Sequence, residues 1–152
     1  MPSKQGYSAL QIAVHWLTAI LILASFVISD DVESAASATG MPLHIWLGYA
    51  VLALIAVRLI VNLAQGTPGH VPGSSPLLQA AATWGQRLLY LLMIVSPATG
   101  VAAWYGFDAA EELHEGASNL LMIVALGHAL AAIWHQYVLR DGALMRMLKP
   151  QS

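Results

Sequence analysis

The chain has 152 residues, of which 58% are hydrophobic and 9% are charged, and its mean hydropathy is positive. This composition indicates a single integral membrane domain covering residues 1–152, and with a net charge of −2 no nucleic-acid partner is expected. The sequence contains no cysteine, which excludes disulfides, thiolate metal sites and redox thiols.

Four apolar segments predict four transmembrane helices, at about residues 10–28, 43–63, 83–105 and 114–139. The first segment has 19 residues, close to the ~20 that a bilayer requires. Lys4 before it and the small residues 35–38 after it resemble a secretory signal and its cleavage site. The apolar run is longer than a usual signal core, so we expect it to stay in the protein as the first span.

The connections between the predicted helices differ in character. Residues 30–40 are acidic and rich in serine and alanine, which predicts an external loop. Residues 65–76 concentrate glycine and proline, which predicts a loop on the opposite side of the membrane. Residues 107–115 predict a second acidic external loop, and Gly100 predicts a point of close packing on the third helix.

Charged residues divide between the two sides of this arrangement. Because basic flanks stay in the cytoplasm, we expect both termini inside and the acidic segments outside, which in a bacterium is the periplasm. The predicted cytoplasmic side carries all six basic residues, Lys4, Arg58, Arg87, Arg140, Arg146 and Lys149. The predicted outer side carries seven of the eight acids, Asp30, Asp31, Glu33, Asp108, Glu111, Glu112 and Glu115, and Asp141 is the exception.

Four histidines from three helices fall at two depths in the membrane, where ionisable side chains indicate function. Fourteen residues separate His114 from His128 on the fourth helix, which corresponds to a rise of ~21 Å. His44 begins the second helix at the outer level, and His15 lies deep in the first helix at the inner level. The spacing therefore predicts an outer pair, His44 with His114, and an inner pair, His15 with His128.

Two facing imidazoles in a helical bundle suit haem, because the porphyrin supplies four nitrogens and the protein adds the axial ligands. A structural zinc site takes about four protein ligands, and each level offers two. Arg58 follows His44 by fourteen residues and comes level with the inner pair, where we expect its guanidinium to bind a haem propionate. Small residues along the histidine faces, such as Gly48, Ser118 and Ala125, leave room for flat macrocycles.

The remaining polar residues keep several interpretations. His135 lies near the inner interface, where three interpretations stay open: contact with a haem propionate, contact with a quinone, or hydration. His70 lies in a solvated loop and is not expected to be a ligand, and Asn62 receives no role. A further alternative is a haem-free anchor or transport protein, in which the intramembrane histidines relay protons or bind a transported ion.

Five short motifs carry a family resemblance. They are LQIAVHW with His15, HIWLGY with His44, AVRL with Arg58, HEG with His114 and LGH with His128. In this order and spacing they resemble the bacterial cytochrome b561 family of four-helix di-haem membrane proteins, over essentially the whole chain. The resemblance implies two b-type haems, each bound by one of the histidine pairs, and electron transfer between a periplasmic partner and membrane quinone.

Relatives in this wider group include quinone-coupled electron carriers, membrane subunits of periplasmic dehydrogenases and hydrogenases, and superoxide oxidases. The resemblance thus implies an inner-membrane di-haem cytochrome b, with a superoxide:quinone oxidoreductase and a dehydrogenase anchor subunit as the alternatives. The outer segments carry seven acids and no basic residue. Such a surface repels the superoxide anion and attracts a basic redox protein, for example a c-type cytochrome.

Overall fold

The computed structural model describes residues 6–29 and 41–150, which form an all-α bundle with no strand among them. Its four long helices are α1 (Ala9–Val27), α2 (Leu43–Gln65), α3 (Pro76–Trp104) and α4 (Asp108–Trp134). All four helices are long and apolar enough to cross a membrane, so the predicted fold class is confirmed. The assignment of residues 1–152 to one domain stays a prediction, and the acidic loop at 30–40 lies outside the described residues.

Serine caps set the starts of two helices. Ser8 Oγ accepts a hydrogen bond from the Gln11 N–H at 3.2 Å, and Gln11 Oε1 accepts one from the Ser8 N–H at 3.0 Å, so α1 begins with a capping box. Ser75 caps α3, and Pro76 occupies the first helical position, where its missing N–H has no cost. The predicted start of this helix at residue 83 was therefore wrong, because it followed the apolar segment and ignored the cap.

The prediction of an acidic loop at residues 107–115 was also wrong. A three-residue connection joins α3 to α4, and Gly106 adopts a φ of 90°, which L side chains rarely adopt. The Gly106 N–H donates to Ala103 O at 2.9 Å and the Phe107 N–H donates to Ala102 O at 3.2 Å, which satisfies the last carbonyls of α3. Helix α4 then begins at Asp108, because carboxylates in a first turn are stabilised by the positive end of the helix.

Helices that are adjacent in sequence are neighbours in the bundle. Helix α1 packs on α2, α2 on α3 and α3 most extensively on α4, whereas α1 and α4 make no comparable contact. Five buried residues of α2, α3 and α4 form the core, namely Val51, Ile55, Leu92, Met93 and Leu121. Large apolar side chains point outward from every helix, for example Ile20, Leu63, Leu91 and Ile123. The outer surface of the bundle therefore suits lipid, and α1 and α4 pack on each other much less than the other neighbouring helices do.

The end of α4 turns back over the cytoplasmic side of the bundle. The helix continues as one π-helical turn, His135–Leu139, and stops where Arg140 adopts the left-handed conformation, with a φ of 53°. A 3₁₀ helix, Leu144–Met147, follows. The indole N–H of Trp16 on α1 donates to Met147 O at 2.8 Å, so the C-terminal segment is attached to the first helix.

Candidate functional site

The outer site consists of two imidazole rings, one from α2 and one from α4. The ring centroids of His44 and His114 are 5.9 Å apart, and the ring planes lie at 78° to each other. An imidazole–metal bond is about 2 Å long, so two imidazoles on opposite sides of one metal have centroids roughly 6 Å apart. The structure thus brings together the two residues of the predicted outer pair at a separation that suits one metal between them.

Each outer ring is hydrogen bonded to a backbone carbonyl through its Nδ1. His44 Nδ1 lies 2.9 Å from Ser25 O on α1, and His114 Nδ1 lies 2.7 Å from Ser96 O on α3. A carbonyl oxygen only accepts hydrogen bonds, so Nδ1 carries the hydrogen in both rings and Nε2 keeps its lone pair. Histidines that bind a metal usually donate their other ring N–H in this way. The sequence did not predict Ser25 and Ser96 as partners, because a carbonyl leaves no signature in residue type.

A cavity of about 300 Å³ surrounds the outer pair. All four helices line it, and the lining includes Ser25, His44, Gly48, Ser96, Gly100 and His114. A Cβ on Gly100 would lie 2.8 Å from His114 Cε1 and 2.9 Å from its Nδ1, closer than real Cβ contacts. The close packing predicted at Gly100 is therefore confirmed, and its partner is the ring of His114.

A hydrogen bond between α1 and α2 sets the register of the inner level. Gln11 Nε2 donates to Asn62 Oδ1 at 2.9 Å and to Gly66 O at 3.0 Å. His15 follows Gln11 by four residues, and Arg58 precedes Asn62 by four, so each lies one turn further toward the outer side on its own antiparallel helix. The Gln11–Asn62 hydrogen bond therefore brings His15 and Arg58 to the same depth.

The predicted inner residues lie within electrostatic reach of one another. Arg58 interacts electrostatically with both His15 and His128, and His128 interacts electrostatically with His15. His15 Nδ1 is buried and has no hydrogen-bond partner among the described residues. A buried ring nitrogen without a partner is costly and indicates a missing ligand or acceptor. The structure places Arg58, His15 and His128 within electrostatic range of one another, and the role of the two histidines as ligands stays a prediction.

Two levels with two histidines each fit haem better than a protein-only metal site. Among residues 6–29 and 41–150, no three histidine or acidic side chains come together as a possible metal site. Zinc in a structural site would need about four such ligands. A porphyrin iron needs two, which the outer pair can supply and which the sequence also predicts at the inner level, and the polarised rings and the cavity at the outer level suit it.

His135 and His70 lie together at the cytoplasmic side, away from the outer histidine pair. His135 Nδ1 is hydrogen bonded to Asp141 Oδ2, and both histidines line a small cavity of about 40 Å³. Burial raises the pKa of Asp141, but the hydrogen bonds from His135 and from the Ala143 N–H outweigh it, so this pKa lies below its ordinary value. The sequence did not predict Asp141 as the partner of His135, because the turn at Arg140 brings them together.

The acidic residues of α4 lie at the outer end of the bundle beside the outer pair. Asp108, Glu111, Glu112 and Glu115 are all exposed, and Glu111 and Glu115 also line the cavity around His114. No basic residue occurs between residues 88 and 139. The entrance to the outer site is therefore negatively charged in the part of the chain that the structure describes.

The profile of the prokaryotic cytochrome b561 family matches residues 6–150. The chain belongs to this family. Cytochrome b562 of Cereibacter sphaeroides is 39% identical, with 99% of this chain and 100% of that protein covered. The probable superoxide oxidase CybB of Yersinia pestis is 33% identical over 93% of this chain and 95% of that protein, and cytochrome b561 homolog 2 of Escherichia coli K12 is 25% identical over 99% and 95%.

Membership of the cytochrome b561 family confirms the identification made from the histidine motifs. The protein is a membrane electron-transfer protein that binds haem b, and its four apolar helices make it a multi-pass protein of the bacterial inner membrane.

Proposed function

We propose that this protein is a di-haem cytochrome b that passes single electrons across the inner membrane, between a periplasmic redox protein and quinone in the bilayer. The observation that carries the proposal is the outer pair, in which the ring centroids of His44 and His114 lie 5.9 Å apart. The rise of ~21 Å along α4 from His114 to His128 supports a second pair at another depth. Bound haem supplies reversible one-electron chemistry, and the protein positions and tunes it.

The outer pair is His44 with His114, and the inner pair is His15 with His128. The carbonyls of Ser25 and Ser96 orient the outer rings, which supports Nε2 as the ligand atom at that level. At the inner level, Arg58 provides a positive charge for a haem propionate. Both pairs share α4, so this helix holds the two haems at a fixed separation.

The negatively charged entrance supports a basic protein as the outer redox partner. Opposite charges raise the rate of encounter by about 10- to 1,000-fold, and salt screens the effect. We therefore predict that a basic soluble c-type cytochrome exchanges electrons with the purified protein at a rate that falls steeply with ionic strength. Stopped-flow absorbance measures this rate.

Two comparisons make this measurement decisive. Neutralising Asp108 and Glu112, which are exposed and do not line the cavity, should slow the reaction at low salt and leave the haem spectrum unchanged. An acidic cytochrome of similar size serves as the second control and should react slowly. Equal rates with both cytochromes, independent of salt, would contradict the proposed partner.

A second candidate function is oxidation of superoxide with quinone as the acceptor, because one relative of 33% identity is named a probable superoxide oxidase. Two superoxide anions would give two electrons to one quinone, which takes up two protons to form quinol, and dioxygen would be released. The acidic entrance opposes the approach of an anion, so we predict only slow reduction of the haems by superoxide. Rapid mixing with superoxide, with and without quinone, measures it, and quinol formation at rates near diffusion would favour this function over the first.

A further inference from the structure

Arg58 is an arginine inside a membrane-spanning helix, and its surroundings contain no anion among the described residues. It lies in α2 and is half-buried, and the only described ion pair joins His135 and Asp141. A charged side chain inside a membrane is costly and is usually paired or functional. The guanidinium can therefore pair with an anionic ligand at the depth of His15.

One face of the Arg58 side chain lies against an aromatic ring. The guanidinium carbon is 5.3 Å from the centroid of the Tyr90 ring, a cation–π distance. A guanidinium that stacks on an aromatic ring keeps its N–H edge available, and this edge binds carboxylates through two hydrogen bonds.

The Tyr90 ring is itself held by a chain of hydrogen bonds that crosses three helices. Asn62 Nδ2 donates to Tyr90 OH at 3.0 Å, and Gln11 Nε2 donates to Asn62 Oδ1 at 2.9 Å. Gln11 is 4% exposed and is also fixed by the capping box of α1. The position of the ring over Arg58 is thus tied to the register of α1, α2 and α3.

A second phenol lies beside the same charge. Tyr7, just before α1, is half-buried, and burial raises its pKa while Arg58 acts in the opposite direction. Tyr90 and Arg146 also interact electrostatically with Tyr7, so a second phenol and two cations lie within electrostatic range of it. Phenolic O–H groups donate hydrogen bonds to carboxylates, and the set is suited to an anionic group.

We propose that Tyr90, held by Asn62 and Gln11, is the positioning residue that orients the Arg58 guanidinium to bind a propionate of the inner haem. The proposal rests on the proposed function, because it takes the inner haem to lie between His15 and His128. Tyr90 does not contact the iron. It acts through Arg58, by fixing the direction of a charge that would otherwise rotate on a flexible side chain.

The test uses the haem-loaded full chain with three variants, Tyr90→Leu, Tyr90→Phe and Arg58→Gln. Redox titration monitored in the α band resolves the two haems, and transfer of haem to apomyoglobin measures retention of each. Arg58→Gln should lower the potential of the inner haem, because a nearby cation disfavours the oxidised iron, and should speed its loss roughly 10-fold or more. Tyr90→Leu should also lower the potential of the inner haem and speed its loss. Tyr90→Phe keeps the ring, so its inner-haem potential and rate of haem loss should stay close to those of the wild type.

The outer haem is the internal control for folding, since Tyr90 and Arg58 do not line its cavity. Unchanged inner potential and retention in both Arg58→Gln and Tyr90→Leu would overturn the inference. A change in Tyr90→Leu that Tyr90→Phe shows in full would also overturn it, because the ring would then have no role. Failure of the proposed function gives a different result, namely two full haem equivalents in a His128→Ala variant.

Discussion

A His128→Ala variant is expected to bind one haem per chain instead of two, with the outer haem retained. His128 is on α4 at the inner level, where Arg58 acts on both His128 and His15. Alanine removes one of the two proposed axial ligands, and among the described residues no histidine besides His15, the other proposed ligand, is placed at that depth. Haem b per chain, measured as the pyridine complex together with the split α band at low temperature, reports the loss.

Matched variants separate the two levels. His114→Ala should remove the other component of the α band, because this ring faces His44 at 5.9 Å in the outer site. His70→Ala and His135→Ala should keep two haems, since both residues line the small cytoplasmic cavity instead. Two full equivalents of haem in either His128→Ala or His114→Ala would show that the pair containing that residue is assigned wrongly.

The sequence was enough to predict four spans and two histidine pairs, because both predictions use only the distance along each helix axis. His44 and Arg58 are fourteen residues apart, as are His114 and His128, and this spacing needs no knowledge of helix packing. The family motifs follow the same positions. For these reasons the fold class and the family could be derived from the sequence, and the assignment of the histidines to two haem sites stays a prediction.

The hydrogen bonds that organise the site could not be predicted in the same way. Asn62 received no role from the sequence, although it binds both Gln11 and Tyr90 in the structure. One signal was available, since Gln11 and Asn62 each lie four residues from a candidate site residue, His15 and Arg58. The pairing of Gln11 with Asn62 depends on the rotation and register of two helices, which side-chain packing decides and periodicity does not.

The starts of α3 and α4 show a second limit, because hydropathy locates membrane spans and not helix ends. The apolar segments begin at about residues 83 and 114, whereas the helices begin at Pro76 and Asp108. The Ser75 cap and the acidic first turn extend each helix into the polar region. The consequence for function is that the acids near the outer site are arranged on a rigid helix.

A Gly100→Ala variant is expected to lose the outer haem selectively, although it adds only one methyl group. The new Cβ would lie 2.8 Å from His114 Cε1, 2.9 Å from Nδ1 and 3.3 Å from Nε2, so the whole ring must move. The ring has little freedom to do so, because its Nδ1 is hydrogen bonded to Ser96 O at 2.7 Å on the same helix as Gly100. Overpacking of this kind costs about 1–3 kcal/mol, which corresponds to a roughly 5- to 150-fold weaker outer haem site.

The same substitution at Gly85 is the matched control for this variant. Gly85 is also on α3, and a Cβ there would meet nothing within 4 Å, so Gly85→Ala should keep both haems and raise helix stability slightly. Haem content and the outer-haem potential distinguish displacement of His114 from a general loss of folding, because the inner haem depends on α1, α2 and the far end of α4. A Gly100→Ala protein with an unchanged outer potential and full haem content would mean that the His114 ring does not lie against Gly100 once haem is bound, and the geometry proposed for the outer site would have to be revised.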